Sequence, residues 1–517
     1  FEALRGSALT PFVGRELELQ ALHHRWGQAV DGEGQVVLIS GEPGIGKSRI
    51  AETIHERLAG DDHLRLLYQC SPHHTNSALH PVIEQLGFAA GMGADEADET
   101  RLDKLETLIA QAGEDGGAAA PLFADLLSIR HDGRYPALNL TPQARKDRTL
   151  EALVAQLVRL AAHKPVLFVF EDLHWADPTT RELLDLTVAG ISEARVLALF
   201  TFRPEYEAPW VGQSHATLIA LNRRSKRQCG EMAESVAAEA ELSETAIAEI
   251  VAKTDGVPLF VEELTKTLLG GESTEVVPAT IQASLTARLD RLGAAREVAQ
   301  VGAVIGRTFG YELLAGVSEA ASGDIDAALI KLEESGLAIR RGTPPQASYT
   351  FKHALVQDAA YESLLKSTRR SLHARVAKTL EAISPNIAET QPELLAHHFG
   401  EAGVSELAIQ YWRQAAERAT ERSASVEAIS HANKGLELLD AIDGEQDRLK
   451  AELDLQTMLG NALLAIRGYS AAETDRAFRR AYELCQRLGD KRRIFPIFLG
   501  LHGFHDIRAE HEKATVV

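Results

Sequence analysis

The stretch LISGEPGIGKSRI, residues 38–50, decides the fold of this chain. It follows an apolar run and fits the spacing G-x-x-x-x-G-K-[ST] from Gly41 to Ser48. In this pattern glycines free backbone N–H groups to surround phosphate oxygens, at a helix N-terminus whose dipole adds positive potential. Lys47 is placed to reach the β and γ phosphates, and the Ser48 hydroxyl to hold magnesium. The sequence therefore predicts a phosphate-binding loop between a strand and a helix. Its members are Gly41, Glu42, Pro43, Gly44, Ile45, Gly46, Lys47 and Ser48.

Apolar runs alternate with helical segments on both sides of this loop. Leu19, Leu22 and Trp26 recur at helical spacing before it, and the runs QVVLIS, LRLLYQC, PVLFVF and RVLALFTF are separated by helical segments. Short continuous apolar strands between helices predict a parallel sheet that is covered on both faces. We therefore expect an N-terminal linker and helix over residues 1–35 and an α/β nucleotide-binding domain over residues 36–205.

The pattern changes after residue 206, where strand signals nearly vanish. Residues 206–275 indicate a small all-α domain, and residues 276–366 show helices followed by two short strands, which is typical of a winged helix. From residue 367 to 517 the chain is helical, and NKGLELL at 433–439 resembles RRAYELC at 479–485 after a shift of 46 residues. This spacing favours tetratricopeptide-like repeats with units longer than the usual period of about 34 residues.

Two adjacent carboxylates follow the apolar run PVLFVF. Glu171 and Asp172 stand at the carboxyl end of this predicted strand, the edge at which parallel sheets bind ligands. One carboxylate is expected to hold magnesium together with Ser48, and the other to orient an attacking water. The alternative is a buried pair that only caps the next helix. Asp177, which precedes PTT, is better placed as a helix cap than as a catalyst.

Arg203 follows the predicted strand RVLALFTF. An arginine that leaves a sheet beside a nucleotide crevice could sense the charge of the γ phosphate. A surface ion pair with Glu205 is the alternative, and the spacing alone does not choose between them.

Composition and charge exclude several classes of protein. Lys and Arg number 54 against 74 Asp and Glu, giving a net charge of −20, so nucleic-acid binding, which needs a basic surface, is disfavoured even with a winged helix. The 3 cysteines show no C-x-x-C spacing, and no apolar run reaches the ~18 residues of a membrane span. We expect a cytoplasmic protein without a membrane segment.

Histidines cluster in two places. CSPHHTNSALHP, residues 70–81, contains His73, His74 and His80, and the repeat region contains His397 and His398. Adjacent histidines without supporting cysteines are weak evidence for a metal site, and a loop between strand and helix explains the first cluster equally well. We do not expect a metal there.

Four motifs in order, PFVGRELEL, GEPGIGKSR, FEDLHWADPTT and TFRPE, resemble the STAND class of AAA+-related signal-transduction ATPases over residues 10–370. The resemblance implies that the segment Val13, Gly14 and Arg15 meets the adenine side of the nucleotide, and that Arg49 adds a backbone contact after the loop. By the same resemblance the all-α domain of residues 206–275 would be the helical lid, and Pro258 in its DGVPL segment would pack on the adenine. In FKHALVQDAAY, His353 would touch the β phosphate of bound ADP. The class commonly has aspartate where this chain has Glu171, so the magnesium geometry and the hydrolysis rate are expected to differ.

The resemblance implies a nucleotide-gated switch that uses ATP, ADP and Mg²⁺. ADP would hold the sheet domain, lid and winged helix in a closed form, a protein or small-molecule ligand on the repeats would favour an ATP-bound, self-associating form, and slow hydrolysis would reset it. The alternatives are a DNA-binding ATPase of the origin-recognition type and a constitutive ATPase.

The ends of the chain lead us to expect a fragment of a longer polypeptide. FEALRGSALTPFVGRE, residues 1–16, resembles the junction that follows class III adenylate or guanylate cyclases in multidomain bacterial proteins. A fused cyclase or a transcriptional output domain is therefore expected outside this sequence.

Overall fold

We analysed a computed structural model of the chain. It describes residues 13–93, 96–113, 117–131, 133–237, 240, 242–269, 280–468, 470–495 and 497. Most of the segment that resembles a cyclase junction, residues 1–12, lies outside the described residues. The chain divides into two compact units. The first comprises Phe1–Ser71, Val158–His174 and Val188–Thr379, and the second comprises Pro72–Leu157, Trp175–Thr187 and Leu380–Val517.

The described strands and helices follow in chain order. The strands are β1 (Gln35–Ser40), β2 (Leu64–Gln69), β3 (Val166–Glu171), β4 (Val196–Phe202), β5 (Ala216–Ala220), β6 (Thr308–Gly310), β7 (Ala338–Arg341) and β8 (Ser348–Phe351). The helices are α1 (Glu16–Val30), α2 (Lys47–Arg57), α3 (His80–Ala89), α4 (Asp98–Ala110), α5 (Ala120–Leu126), α6 (Pro142–His163), α7 (Pro178–Gly190), α8 (Lys226–Ala237), α9 (Glu244–Thr254), α10 (Pro258–Leu269), α11 (Ile281–Asp290), α12 (Ala294–Ile305), α13 (Tyr311–Val317), α14 (Ser322–Glu334), α15 (Ala354–Glu362), α16 (Lys366–Ile383), α17 (Ile387–Thr390), α18 (Pro392–Ala402), α19 (Ser405–Glu421), α20 (Ser425–Glu437), α21 (Glu445–Arg467) and α22 (Ala472–Leu488).

The first unit contains a five-stranded parallel sheet in the order β2-β3-β4-β1-β5. Strands β3 and β4 are buried along their whole length, as expected of central strands in a sheet covered on both faces. All four strands expected from the apolar runs are present. The parallel α/β fold predicted from the sequence is confirmed, and it places the ends of β1 and β3, with their loop and acids, at the same edge of the sheet.

Strand β5 is the part of the sheet that the sequence pattern misses. The pattern predicts helices after residue 206, whereas Ala216–Ala220 pairs in parallel with β1. This strand lies at an edge, and its side chains are only partly buried or exposed, with Leu218 at 47% exposure. An edge strand needs no continuous apolar run, so its signal is weak.

Helices α1 and α2 pack against this sheet through one apolar core. Leu19, Leu22 and Trp26 of α1 are buried there, as their helical spacing predicts. Ile50 and Ile54 of α2 join the same core. This packing fixes the start of α2, and with it the phosphate-binding loop, against the end of β1.

The remainder of the first unit is mainly helical. Helices α8, α9 and α10 enclose a separate apolar core around Phe260, Val261 and Leu264. Farther along, β7 and β8 form the antiparallel hairpin that the sequence predicts, and β6 joins β8 on its other side. The helices and strands expected in these two segments are present. Their assignment as lid and winged-helix domains stays a prediction.

The second unit is helical in its described residues. Successive helices α18, α19, α20, α21 and α22 pack against their neighbours in chain order. The two similar stretches begin in α20 and lie in α22, with α21 between them. This arrangement is compatible with the predicted repeats. Among the described residues, no helix combines the length and the apolar character needed to span a bilayer.

Candidate functional site

The phosphate-binding loop connects β1 to α2 in a conformation that depends on glycine. Gly44 and Gly46 have φ values of 77° and 102°, in the left-handed region that glycine adopts without steric cost. Gly46 precedes the first turn of α2, and no described side chain caps that turn. An uncapped first turn of this kind suits an anion, and phosphate binding by the loop stays a prediction.

Lys47 lies folded over this loop. The residue is 8% exposed, and Nζ donates to the carbonyl oxygens of Gly41 at 2.8 Å and Glu42 at 3.1 Å. Burial lowers the pKa of Lys47, whereas the nearby charge of Asp172 opposes this shift. A cation held beside open N–H groups is suited to binding phosphate.

Glu171 is the last residue of β3 and is 6% exposed. Burial raises its pKa and the charge of Asp172 adds to this rise, whereas the charge of Arg307 and a hydrogen bond from the Ser48 hydroxyl oppose it. The structure thus brings together two of the residues predicted to hold magnesium, one hydroxyl and one carboxylate. Such oxygen donors suit Mg²⁺, which usually keeps several water ligands and needs few from the protein.

Asp172 points to a different partner. Its φ of 61° is unusual for a residue other than glycine, and its backbone N–H donates to the Thr201 hydroxyl at 3.1 Å. Its Oδ2 accepts a hydrogen bond at 2.9 Å from Nη1 of Arg307, which precedes β6. The two acids therefore diverge, Glu171 toward the loop serine and Asp172 toward an arginine that the sequence reasoning missed.

Arg203 directly follows β4. Burial is the main cause of the lowered pKa of Lys47, and the positive charge of Arg203 adds to it, against the opposing charge of Asp172. Burial raises the pKa of Asp358 in α15, and the charge of Arg203 opposes that rise. Arg203 therefore lies near both the loop and α15. The charge of Glu205 raises the pKa of Lys47, so Glu205 also lies near the loop. For Arg203, both a contact with the γ phosphate and an ion pair with Glu205 therefore stay predictions.

The Val13–Gly14–Arg15 segment lies against the helices of the predicted lid. Val13 packs on the apolar core of α8–α10. Arg15 bonds with Nη1 to Glu18 at 2.9 Å and with Nη2 to the carbonyl oxygen of Asn222 at 2.6 Å. Its side chain thus fixes this segment, and its predicted contact with nucleotide stays a prediction.

Two consecutive arginines near the lid were missed by the sequence reasoning. A methyl group on Gly14 would lie 2.5 Å from Nη1 of Arg224, so the glycine permits this close approach. Arg223 forms an ion pair with Glu42 of the loop at 2.9 Å. The pair RR at 223–224 is the signal that could have found them.

The start of α10 touches the phosphate-binding loop directly. The Leu259 N–H donates to the Gly44 carbonyl oxygen at 3.2 Å, and Pro258, the first residue of the helix, is buried. A methyl group on Gly44 would meet Leu259 Cβ at 3.2 Å and Val257 Cγ1 at 3.3 Å. The DGVPL segment therefore lies beside the loop, and the predicted packing of Pro258 on adenine remains a prediction.

His353 immediately precedes α15. Burial lowers its pKa, and the carboxylate of Glu262 partly opposes this shift. Its Nε2 is buried and has no hydrogen-bond partner among the described residues. Because a buried ring nitrogen without a partner is costly, a bound group is a reasonable source of one. Its predicted contact with ADP is not tested by this geometry.

The histidine cluster of residues 73–80 lies in the second unit. The rings of His74 and His80 stack at 3.5 Å between centroids, and His73 lies 5.6 Å from His397. Burial lowers the pKa of His73, His80 and His397 to about 4. The described residues contain no group of three or more His, Cys, Asp or Glu side chains arranged to hold a metal. Within the second unit these rings contact one another.

Residues 11–199 match the family model described as the AAA ATPase domain. The chain carries an AAA ATPase domain. This AAA domain includes Val13–Arg15, the phosphate-binding loop and the acid pair. In contrast, Arg203, Pro258, Arg307 and His353 lie beyond residue 199, in the parts of the chain that follow it.

The chain is also similar to an uncharacterized protein of Rhizobium meliloti (strain 1021), with 29% identity over 535 residues. That similarity covers 98% of this chain and 50% of the relative, so the chain spans half of the length of the protein it matches. Among solved structures, it is similar to a STAND protein with a tetratricopeptide-repeat sensor from Pyrococcus horikoshii, at 13% identity and a TM-score of 0.41, over 98% of this chain and 77% of that one. It is also similar to the Drosophila ORC structure bound to DNA, at 13% identity and a TM-score of 0.30, over 70% of this chain and 89% of that one.

Proposed function

We propose that this protein is a signal-transduction ATPase that binds ATP and ADP and acts as a nucleotide-gated switch. The AAA ATPase domain supports nucleotide binding. The contacts made by the segments that follow this domain support the switch. These segments touch the loop and the acid pair at three points, described next.

Residues of the phosphate site contact three residues that follow the AAA domain, and this observation carries the proposal. Gly44 accepts from Leu259, Glu42 pairs with Arg223, and Asp172 pairs with Arg307. A ligand that moves the loop or the acids would therefore act on these contacts as well. Coupling of ligand binding to a change of domain arrangement requires that such contacts differ between the two nucleotide states.

The residues of the site fit a magnesium nucleotide. The open N-terminus of α2 and Lys47 would bind phosphate, while Ser48 and Glu171 would hold Mg²⁺, which neutralises phosphate charge when bound. Asp172 would orient the attacking water, Arg203 would sense the γ phosphate, and His353 would reach the β phosphate of ADP. Val13, Arg15, Arg49 and Pro258 would position the rest of the nucleotide.

In this scheme ADP stabilises the closed form, and a ligand on the helical repeats of residues 367–517 favours an open, ATP-bound form that self-associates. Moving a 1:99 mixture to 99:1 needs about 5.5 kcal/mol of differential affinity for the open form. Slow hydrolysis then restores the closed form. The output would come from a cyclase or transcriptional domain of the longer polypeptide.

The test is the nucleotide content of the purified protein, compared with that of Lys47→Ala. After denaturation, chromatography of the released nucleotide should give close to one ADP per native chain and almost none for the variant. Phosphate release from ATP should be slow in the native protein. A native protein without nucleotide, unchanged by the substitution, would contradict the proposal, and rapid basal hydrolysis with freely exchanging nucleotide would indicate a constitutive ATPase.

A further inference from the structure

Arg307 connects the predicted winged helix to the acid pair of the AAA domain. It lies between α12 and β6, within the first unit, and forms an ion pair with Asp172 at 2.9 Å. The side chains of Arg307 and Asp172 are only 11% and 15% exposed. Solvent therefore screens this pair weakly, and the Coulomb attraction between the two charges is stronger than in an exposed ion pair.

A second partner fixes the direction of the guanidinium group. With the amide of Gln69 oriented so that its oxygen faces Arg307, that oxygen accepts from Nη1 at 2.6 Å and from Nη2 at 3.0 Å. Gln69 ends β2 and is the register partner of Glu171 at the end of β3. Arg307 thus bridges the carboxyl ends of two neighbouring strands of the sheet.

Both ends of this bridge are held by the backbone. The Arg307 carbonyl oxygen accepts from the Phe351 N–H at 2.9 Å, which ties it to β8. Asp172 is held in its left-handed conformation by the hydrogen bond from its N–H to Thr201. These two hydrogen bonds hold the backbone of each residue in place, so the two side chains start from fixed positions at the sheet edge.

We propose that Arg307 is an inhibitory positioning residue, which occupies Oδ2 of Asp172 and so keeps this carboxylate from orienting a water molecule. This inference rests on the proposed function, because it concerns the regulation of the same site. The ATPase becomes competent when the segment around Arg307 withdraws from the sheet edge. The arginine thereby makes hydrolysis depend on the position of the predicted winged helix.

The test is steady-state phosphate release by the full chain at saturating Mg²⁺ and ATP. Arg307→Gln should raise the turnover number about tenfold, the scale of one charge-assisted hydrogen bond. Arg307→Lys keeps the charge but loses the two-pronged contact with Gln69, so its turnover should lie between the two. The matched control is Arg296→Gln, which removes the more exposed pair of Arg296 with Asp290 in the same region and should leave turnover unchanged.

Asp172→Asn separates this role from a merely structural one. The rise caused by Arg307→Gln should disappear in the Asp172→Asn background, because both changes act through the same carboxylate. A folded Arg307→Gln variant with native or reduced turnover overturns the inference, as does a rise that persists without Asp172. If Arg307→Gln does not fold, the Arg307→Lys variant decides, and native turnover there overturns the inference. The proposed function is judged separately, since it fails only if the native protein binds no nucleotide or exchanges and hydrolyses it rapidly.

Discussion

Two helices that follow strands of the sheet differ in what stands at their first turn. At α2 the residue before the helix is Gly46, and no described side chain caps the turn. At α7 two buried carboxylates are present, because Asp177 Oδ1 accepts from the Thr180 N–H at 2.8 Å and Glu427 Oε1 accepts from the Thr179 N–H at 3.0 Å.

The comparison shows one physical property used in two ways. The N-terminus of a helix favours negative charge wherever it lies. At α7 the protein itself supplies the hydrogen-bond acceptors, from Asp177 and Glu427, so this turn is structural, and the helix-cap role predicted for Asp177 is confirmed. At α2 Gly46 precedes the helix and Lys47 begins it, and no described side chain caps the first turn. The N–H groups of this turn are therefore suited to the phosphate of the proposed nucleotide.

The largest expected effect comes from removing the carboxylate that α20 contributes to α7. Glu427 is 1% exposed, and its Oε1 also accepts from the Thr179 hydroxyl at 2.7 Å. Glu427→Ala should lower the free energy of unfolding by about 2 to 4 kcal/mol, because two buried donors lose their acceptor. Urea titration without nucleotide measures this loss.

Glu427→Gln is the matched control for this prediction. Its amide oxygen can still accept from Thr179, so the loss should be less than about half of that caused by alanine. Both variants should bind ADP within about twofold of the native protein, at the scale of ordinary mutational scatter. Strong loss of ADP affinity in the glutamine variant would show that the two helix starts are not independent.

A smaller effect is expected from methyl groups in the phosphate-binding loop. Gly44→Ala and Gly46→Ala both force alanine to a positive φ, which costs about 1 to 2 kcal/mol. Only the first also places a methyl group against Leu259, since nothing lies within 4 Å of the added atom at Gly46. Gly44→Ala should therefore lose about 1 kcal/mol more stability in urea titration without nucleotide. Equal losses would mean that Leu259 does not rest on the loop in solution.

The last expected effect concerns pH and Asp177. Burial raises the pKa of Asp177 to about 7, despite the opposing hydrogen bond from the Thr180 hydroxyl. Between about pH 4 and 7 the folded state therefore keeps a proton on Asp177 that the unfolded state has released. The contribution of this group to the free energy of unfolding falls as pH rises through that window, and above about pH 7 it does not change further. Relative to Asp177→Asn, the native protein should lose on the order of 1 to 3 kcal/mol across that window.

Urea titrations at pH 5 and pH 7.5 measure this difference. Asp443→Asn, which alters an exposed aspartate of the same unit, is the control and should show no such trend. A native protein and an Asp177→Asn variant with parallel pH profiles would contradict the buried, proton-binding state of Asp177.

The sequence predicted the parts of the fold that depend on local patterns. Continuous apolar runs identified β1 to β4, and the loop spacing located the start of α2. Strand β5 was missed because its exposed edge residues leave no such run. The site was predicted where a motif lies beside a strand end, as with Lys47, Ser48 and Glu171, whereas Arg223 and Arg307 were missed because their partners are distant in sequence.

By itself, therefore, the sequence determined a parallel sheet with a phosphate-binding loop and two acids at one edge. Glycine spacing, strand hydrophobicity and helix starts are local properties, and local properties can be read along a chain. Only the tertiary structure decided which acid faces Ser48 and which faces Arg307, and that Glu427 fills the start of α7. Asp172 and Arg307 are 135 residues apart, and Thr179 and Glu427 are 248 apart, so only packing could bring their charges and donors within hydrogen-bond distance.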